Sequence, residues 1–195
     1  MPHADSALIP SYVTTKSEFW QLVGDQLDAV LDPGANWVTT LANTASLVYH
    51  SLYAFHLFGS ADRQVNWCGF YLESSHFPGP PPPPRADDAP ILLLGPFSGK
   101  PACQRIVGRD GHGVCADAFA SGHPVIVSDV ELYPGHIACD GETRSEIVLP
   151  LVAKGRTIGV LDLDCLAHGA FDEEDRVGLE RVVSLVVQRA HWTFD

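Results

Sequence analysis

The stretch EIVLPLVAKGRTIGVLDLD, residues 146–164, contains two runs of strand-forming residues separated by Lys154-Gly155. Val, Ile and Leu dominate both runs, and branched apolar residues suit a pleated, half-buried surface. A two-residue turn that contains glycine is typical of an antiparallel hairpin. The stretch therefore predicts strands over 146–153 and 157–164, joined by a tight turn.

Acidic side chains follow the alternation of this hairpin. Asp162 and Asp164 fall on one face of the second strand, Leu161 and Leu163 fall on the other, and Glu146 begins the first strand. Acids on adjacent strands repel one another unless a cation or a proton lies between them, which raises at least one pKa. They predict a site that binds an ammonium group or donates a proton, with a solvated polar face of the sheet as the alternative.

The remaining hydrophobic patterns predict helices and further strands on both sides of the hairpin. The helices are expected over 15–32, 36–58, 114–121 and 172–191, the strands over 65–73, 91–94 and 124–128, and loops over 95–113 and 129–143. Sequential antiparallel strands with helices gathered on one side predict an α+β layer architecture. No glycine-rich phosphate loop follows a strand, which excludes a dinucleotide-binding fold.

Composition limits the classes of function. The chain has 195 residues, 46% of them apolar, which is typical of one folded domain. A net charge of −12 repels phosphate, so neither nucleic acid nor an anionic membrane is an expected partner. The first residues have no basic and apolar signal pattern, and the apolar runs are too short to span a bilayer. A cytoplasmic location is expected.

Two segments lie outside the regular pattern. Residues 1–13 are expected to form a loose arm, and residues 14–195 a single domain. The proline-rich segment 76–89 interrupts that domain, and it is interpreted as an extended surface loop in preference to a polyproline ligand for a partner domain.

The five cysteines suggest thiol chemistry. Their odd number, in a chain expected to be cytoplasmic, argues against a framework of structural disulfides. Cys68 and Cys165 fall in or at the end of strands and are predicted to be buried packing thiols. Cys103, Cys115 and Cys139 lie in or beside loops. Such loops suit a cycle in which one cysteine attacks, a second resolves the sulfenic acid as a disulfide, and an external reductant regenerates both thiols.

Zinc is a competing interpretation. His112 with Cys115, and His136 with Cys139, form two H-x-x-C pairs that resemble half-sites of a His2Cys2 centre. The spacing matches no standard finger, and Cys103 would be left over. The prediction is therefore that the protein has no metal site; incidental cysteines are the third option.

Trp67 and Tyr71 share one face of the strand over 65–73. Two aromatic rings at this spacing form a wall suited to a thioether methyl or a cationic group. Core packing is the alternative interpretation of the pair.

Several separate blocks, in order, are similar to one enzyme family. They are NWCGFYL (66–72), LGPFSGKPACQRI (94–106), GHGVC (111–115), DVELYPGHIACD (129–140), SEIVLP (145–150) and GVLDLD (159–164). Together they resemble the free methionine-(R)-sulfoxide reductases, which are built on a GAF domain. The similarity covers residues 14–190.

This resemblance implies a GAF-like fold, with a central antiparallel sheet of about six strands, helices packed on one side and a ligand pocket on the other. It implies reduction of free L-methionine-(R)-sulfoxide through a cysteine sulfenic acid and an intramolecular disulfide. It further implies a role in oxidative stress, thioredoxin as the external reductant, no other cofactor, and a chain that can form a homodimer.

The resemblance also assigns roles to residues. The family's attacking cysteine corresponds to Cys139, and its resolving cysteine to Cys103, with Cys115 nearby as a substitute or relay. The residues that correspond to the family's substrate pocket are Trp67, Tyr71, Glu146, Asp162 and Asp164. The alternative from another class is a GAF sensor module that binds a small molecule without catalysis, and such a module has no need of Cys139 and a resolving partner.

Overall fold

A computed structural model describes residues 8–80, 82–83, 88–136 and 140–192. Its elements, in chain order, are α1 (Lys16–Val30), β1 (Ala35–Asn36), α2 (Trp37–Ala54), β2 (Val65–Glu73), β3 (Ile91–Gly99), β4 (Arg105–Val107), α3 (Val114–Ser121), β5 (Val125–Val127), β6 (Ser145–Ala153), β7 (Arg156–Cys165), α4 (Glu173–Arg189) and β8 (Ala190–His191). Cys139 lies outside the described residues, as do residues 1–7 of the predicted arm and residues 81 and 84–87 of the proline-rich segment.

The main sheet has six antiparallel strands in the order β4-β3-β2-β7-β6-β5. The predicted hairpin, β6 and β7, is present next to β2, with Ser145 opposite Cys165 and Ala153 opposite Arg156. Lys154 and Gly155 in the turn both have positive φ, 51° and 76°. That geometry matches the twist of the flanking strands, and glycine adopts it without steric cost. The predicted α+β fold is confirmed.

The two faces of the sheet carry different layers. On one face, α1, α2 and α4 pack over the larger hydrophobic cluster, which includes Cys68, Phe70 and Leu72 from β2, and Leu161 and Leu163 from β7. On the opposite face, the short helix α3 packs over a smaller cluster with Trp67 and Tyr71 of β2. The alternation predicted for both strands is therefore confirmed, and the pocket face carries a single short helix.

Paired helix caps join α1 to α4 at the back of the sheet. Thr15 and Glu18 form a capping box at the start of α1, and Asp172 with Asp175 forms a second one at the start of α4. Lys16 Nζ contacts both Asp172 and Asp175, and the indole N–H of Trp20 donates to Asp175 Oδ1 at 2.9 Å. These contacts hold the two ends of the domain together, so the helical layer forms a continuous support for the sheet.

The sequence prediction differs from the structure most clearly at α2, β3 and β4. Helix α2 ends at Ala54 instead of residue 58. The chain leaves the helix at Phe55, and the turn that follows buries both Phe55 and Phe58. Strand β3 continues to Gly99, past the Gly95-Pro96 pair that looked like a loop start. Strand β4 was missed, since three residues are too few to show a period.

Cys68 and Cys165 are buried in the larger cluster, as predicted for packing thiols. Of the arm, Val13 is buried and Ile9 packs against the core. No described residue of the proline-rich segment lines the pocket described below, and the single-domain boundaries stay a prediction. Among residues 8–192 that the structure describes, no helix has the length and apolar character needed to cross a bilayer.

Candidate active site

A pocket lies on the face of the sheet that carries α3. Strands β2, β6 and β7 form its floor. Residues between 100 and 106, residues 112–115, and His136, Asp140 and Thr143 surround it. Seven of the predicted site residues line it, namely Trp67, Tyr71, Cys103, Cys115, Glu146, Asp162 and Asp164. The eighth, Cys139, lies outside the described residues, but His136 and Asp140 on either side of it in the sequence both line the pocket.

Strand register brings the acids together. Glu146 on β6 lies opposite Asp164 on β7, and Trp67 on β2 lies opposite Asp164 from the other side. Asp162, one step along the same face, lies opposite Gly69. A Cβ at Gly69 would lie 2.4 Å from Cη2 of Trp67, so only glycine leaves room for the indole beside the acids.

Burial favours the protonated form of these acids. It is the main cause that raises the pKa of Glu146, Asp162 and Asp164 well above the usual range. Repulsion from a neighbouring carboxylate adds to each shift: from Asp164 on Glu146, from Glu146 on Asp162, and from Asp162 on Asp164. The floor of the pocket therefore carries the predicted cluster of acids, and the pKa of each is raised.

Cys115 lies beside two of these acids, Glu146 and Asp162. Its Sγ and one carboxyl oxygen each of Glu146 and Asp162 all lie within 4.8 Å of one another. Burial, followed by the charge of Asp162, raises the pKa of the Cys115 thiol well above its usual value. Thiolates are the nucleophilic form of cysteine, so the environment of Cys115 keeps it unreactive as an attacking group.

The same three groups are the described side chains that could hold a metal ion. Cys115, Glu146 and Asp162 offer one sulfur and two oxygen ligands, but a metal binds their charged forms, which burial disfavours. The alternative His2Cys2 zinc site would have used His112 and His136. Both line the pocket, but neither belongs to this group of three.

His136 contacts the acids from the loop side. Its Nε2 lies 3.4 Å from Oε2 of Glu146. Burial lowers the pKa of His136 while it raises that of Glu146, so both shifts favour neutral partners. The contact therefore places a second titratable group at the floor of the pocket, beside Glu146.

Trp67 and Tyr71 line the pocket and also donate hydrogen bonds to the segment that carries Cys103. The rings of Trp67 and Tyr71 stack with centroids 5.9 Å apart, and Phe97 stacks on the other side of Trp67 at 5.6 Å. The indole N–H of Trp67 donates to the carbonyl oxygen of Lys100 at 3.1 Å, and the Tyr71 hydroxyl donates to that of Cys103 at 2.9 Å. The aromatic residues thus hold the loop that carries the predicted resolving cysteine.

An ion pair joins the two cysteine-bearing loops. Lys100 Nζ lies 3.0 Å from Oδ2 of Asp140, the residue that follows Cys139 in the sequence. The amide of Asn66 on β2 donates to the same Oδ2 at 3.2 Å and to Oγ1 of Thr143 at 3.0 Å. Local sequence patterns gave no sign of these contacts, because the partners lie 40 or more residues apart.

Comparison with known proteins agrees with this geometry. A GAF domain family model matches residues 79–188. The free methionine-R-sulfoxide reductase of Saccharomyces cerevisiae is 39% identical over 185 residues, which cover 94% of this chain and 92% of the yeast protein. The enzyme of the same name from Escherichia coli is 41% identical over 170 residues, which cover 87% of each chain.

A solved structure shows the same relationship. The X-ray structure of free methionine-R-sulfoxide reductase from Neisseria meningitidis in complex with its substrate is 36% identical, has a TM-score of 0.72 and covers 90% of each chain. Identity at this level over nearly the whole chain, with the same fold, exceeds what the fold alone would produce. The chain belongs to the GAF-domain family of free methionine-R-sulfoxide reductases.

Proposed function

We propose that this protein reduces the R-sulfoxide of free methionine to methionine, with its own thiols as the immediate reductant. The observation that supports this most is the pocket in which an aromatic wall, two cysteines and three acids with raised pKa values meet. A small, dipolar sulfoxide with an ammonium group and a methyl group suits each of these surfaces. The names of the relatives point to the same reaction.

The attacking group that we propose is Cys139. Its thiolate attacks the sulfoxide sulfur, the sulfur–oxygen bond breaks, and the oxygen ends on the cysteine as a sulfenic acid while methionine leaves. Cys115 is a poor candidate for this step, because its raised pKa keeps it a thiol. The sequence joins Cys139 directly to Asp140, whose side chain lines the pocket.

The acids divide the remaining work. An ammonium group beside a buried acid favours the charged form of that acid, so substrate binding lowers its pKa. The released proton is then available to the sulfoxide oxygen as the sulfur–oxygen bond breaks. In this proposal Glu146, Asp162 and Asp164 therefore bind the substrate and supply the proton through one coupled step.

The resolving group that we propose is Cys103. Its thiol condenses with the sulfenic acid of Cys139, a disulfide forms and water leaves. An external dithiol then reduces the disulfide by thiol–disulfide exchange, and thioredoxin is the dithiol that we propose. The hydrogen bond from Tyr71 to the Cys103 carbonyl supports this role, since it fixes the loop beside the pocket.

One activity comparison tests the proposal. The purified protein, supplied with thioredoxin, thioredoxin reductase and NADPH, is given the R- and S-sulfoxides of free methionine, and the R-sulfoxide within a peptide. Methionine formation from the free R-sulfoxide alone is expected, and Cys139→Ser is expected to abolish it. Cys165→Ser, at a thiol buried in the core away from the pocket, is the matched control. Binding of the sulfoxide without turnover would instead support the sensor alternative.

A further inference from the structure

His112 presents an unused polar atom at the pocket. The residue lines the pocket two positions before α3 begins at Val114. Its Nδ1 is buried and makes no hydrogen bond with any residue that the structure describes. Its other ring nitrogen, Nε2, lies 2.9 Å from Nη2 of Arg109. The two ring nitrogens thus have very different surroundings.

Arg109 determines which nitrogen of His112 carries the proton. A guanidinium group has donors and no acceptor, so Nε2 of His112 must accept in this contact. The neutral ring then carries its proton on Nδ1, which makes the buried, unpartnered atom a hydrogen-bond donor. A buried donor without an acceptor lowers the stability of the folded protein, and in native structures such an atom calls for an explanation.

The loop that carries His112 is held in place independently of that ring. Asp117 on α3 accepts from the Gly111 backbone N–H at 2.6 Å and from the Tyr133 hydroxyl at 2.7 Å. Gly135 backs onto the same loop, since a Cβ there would lie 2.7 Å from the Gly111 carbonyl oxygen. The position of the imidazole is therefore set before any ligand arrives.

We propose that the Nδ1–H of His112 binds the α-carboxylate of the substrate amino acid. The positive charge of Arg109 behind the ring polarises the N–H and favours an anionic acceptor. In the proposed function the acids on the floor of the pocket bind the ammonium group, and the ammonium of Lys100 already contacts Asp140 and Glu142. This inference rests on the proposed function and adds a reason for its selectivity. A methionine within a peptide has an amide where the free amino acid has this carboxylate.

A neutral substrate analogue isolates this contact. L-methionine-(R)-sulfoxide and its C-terminal amide are compared by kcat/KM in wild type, His112→Ala and Arg109→Gln, with the exposed His123→Ala on the loop after α3 as the control. His112→Ala is expected to lower kcat/KM for the acid by about 10-fold to 100-fold, the range of a lost charge-assisted hydrogen bond. For the amide the expected change is less than about threefold. Arg109→Gln should act in the same direction but more weakly.

Nitrogen-15 NMR of the imidazole in wild type, assigned by comparison with His112→Ala, checks the tautomer without any turnover. Protonation on Nδ1 with a bare Nε2 is expected, and the reverse tautomer overturns the inference. An equal loss of kcat/KM for the acid and the amide in His112→Ala also overturns it. So does a result in which Arg105→Gln lowers kcat/KM for the acid selectively and His112→Ala does not. Activity of wild type on the free R-sulfoxide keeps these outcomes separate from a failure of the proposed function.

Discussion

Glu146 on β6 pairs in register with Asp164 on β7, and both side chains face the pocket. Burial raises the pKa of Glu146, and the neighbouring Asp164 raises it further. A protein would gain stability by replacing such a pair with apolar residues, so the buried acids mark a candidate functional site. Several measurable consequences arise from that arrangement.

The first prediction concerns stability and pH at Glu146. Because the folded-state pKa lies above the unfolded value of about 4.3, the group stabilises the fold at low pH and loses that contribution as pH rises through the folded pKa. Glu146→Gln has no such loss. Its free energy of unfolding should exceed that of wild type by about 1 kcal/mol or more at pH 8, and by less at pH 4. Urea unfolding at several pH values measures the difference.

Glu173 is the opposite control. Its hydrogen bond to Arg176 lowers its pKa, so its carboxylate adds stability above the unfolded pKa, and that stability is lost as pH falls through the folded pKa. At pH 8, Glu173→Gln should therefore lower the free energy of unfolding or leave it unchanged. Glu146→Gln should raise it at the same pH. A Glu146→Gln difference that stayed constant across pH would contradict a raised pKa at this residue.

The second prediction concerns proton supply at Asp162. Its Oδ1 is buried without a partner among the described residues, and its neighbours are Cys115 and Glu146. Asp162→Asn keeps the shape but removes the acid, so kcat/KM for the free R-sulfoxide should fall by about 10²-fold to 10⁴-fold. The exposed Asp62→Asn should keep wild-type activity. Steady-state kinetics with both variants checks this, and a fall below threefold would remove Asp162 from the chemistry.

The third prediction separates the two halves of the cycle at Tyr71. Tyr71→Phe keeps the buried ring but loses the hydrogen bond to the Cys103 carbonyl. The first methionine should form at nearly the wild-type rate, whereas disulfide formation should slow by about fivefold, the effect of one ordinary hydrogen bond. Rapid quenching with thiol alkylation and mass spectrometry measures both steps. Tyr53→Phe on the exposed side of α2 is the control. Equal slowing of both steps would mean that Tyr71 serves substrate binding alone.

The fourth prediction concerns the ion pair between Lys100 and Asp140. The Lys100 side chain is 58% exposed, so Lys100→Gln should change the free energy of unfolding by less than about 1 kcal/mol. The same change frees the two cysteine-bearing loops from each other, and disulfide formation should become slower and less sensitive to salt. Lys154→Gln in the turn between β6 and β7 is the matched lysine control. Unchanged disulfide kinetics in Lys100→Gln would show that the pair does not align the loops.

The sequence predicted the parts of the fold that rest on local patterns. Strand β2 begins and ends at the predicted residues, because its alternation is unbroken over 65–73. The starts of α1 and α4 were predicted to within one residue, because capping residues, Thr15 and Asp172, precede both helices. Gly95-Pro96 in β3 and the short strand β4 were misread, since neither shows alternation and only pairing with neighbouring strands makes them extended.

The site was predictable in its residue types and not in its connections. Alternation placed Asp162 and Asp164 on one face of the strand. Whether solvent reaches that face depends on α3 and the loops that cover it, and the alternation carries no information on them. The bonds from Trp67 to Lys100 and from Arg109 to His112 depend on loop geometry. No residue pattern encodes such geometry.

The central claim is that thiols of this chain take one oxygen from free methionine-(R)-sulfoxide. The most direct measurement is a single turnover of the reduced protein without external reductant, with methionine quantified and the protein mapped by mass spectrometry. One methionine per chain should form from the R-sulfoxide and none from the S-sulfoxide, with Cys139 recovered in a disulfide with Cys103. Absence of methionine, or a Cys139 that stays a free thiol while methionine forms, would contradict the account.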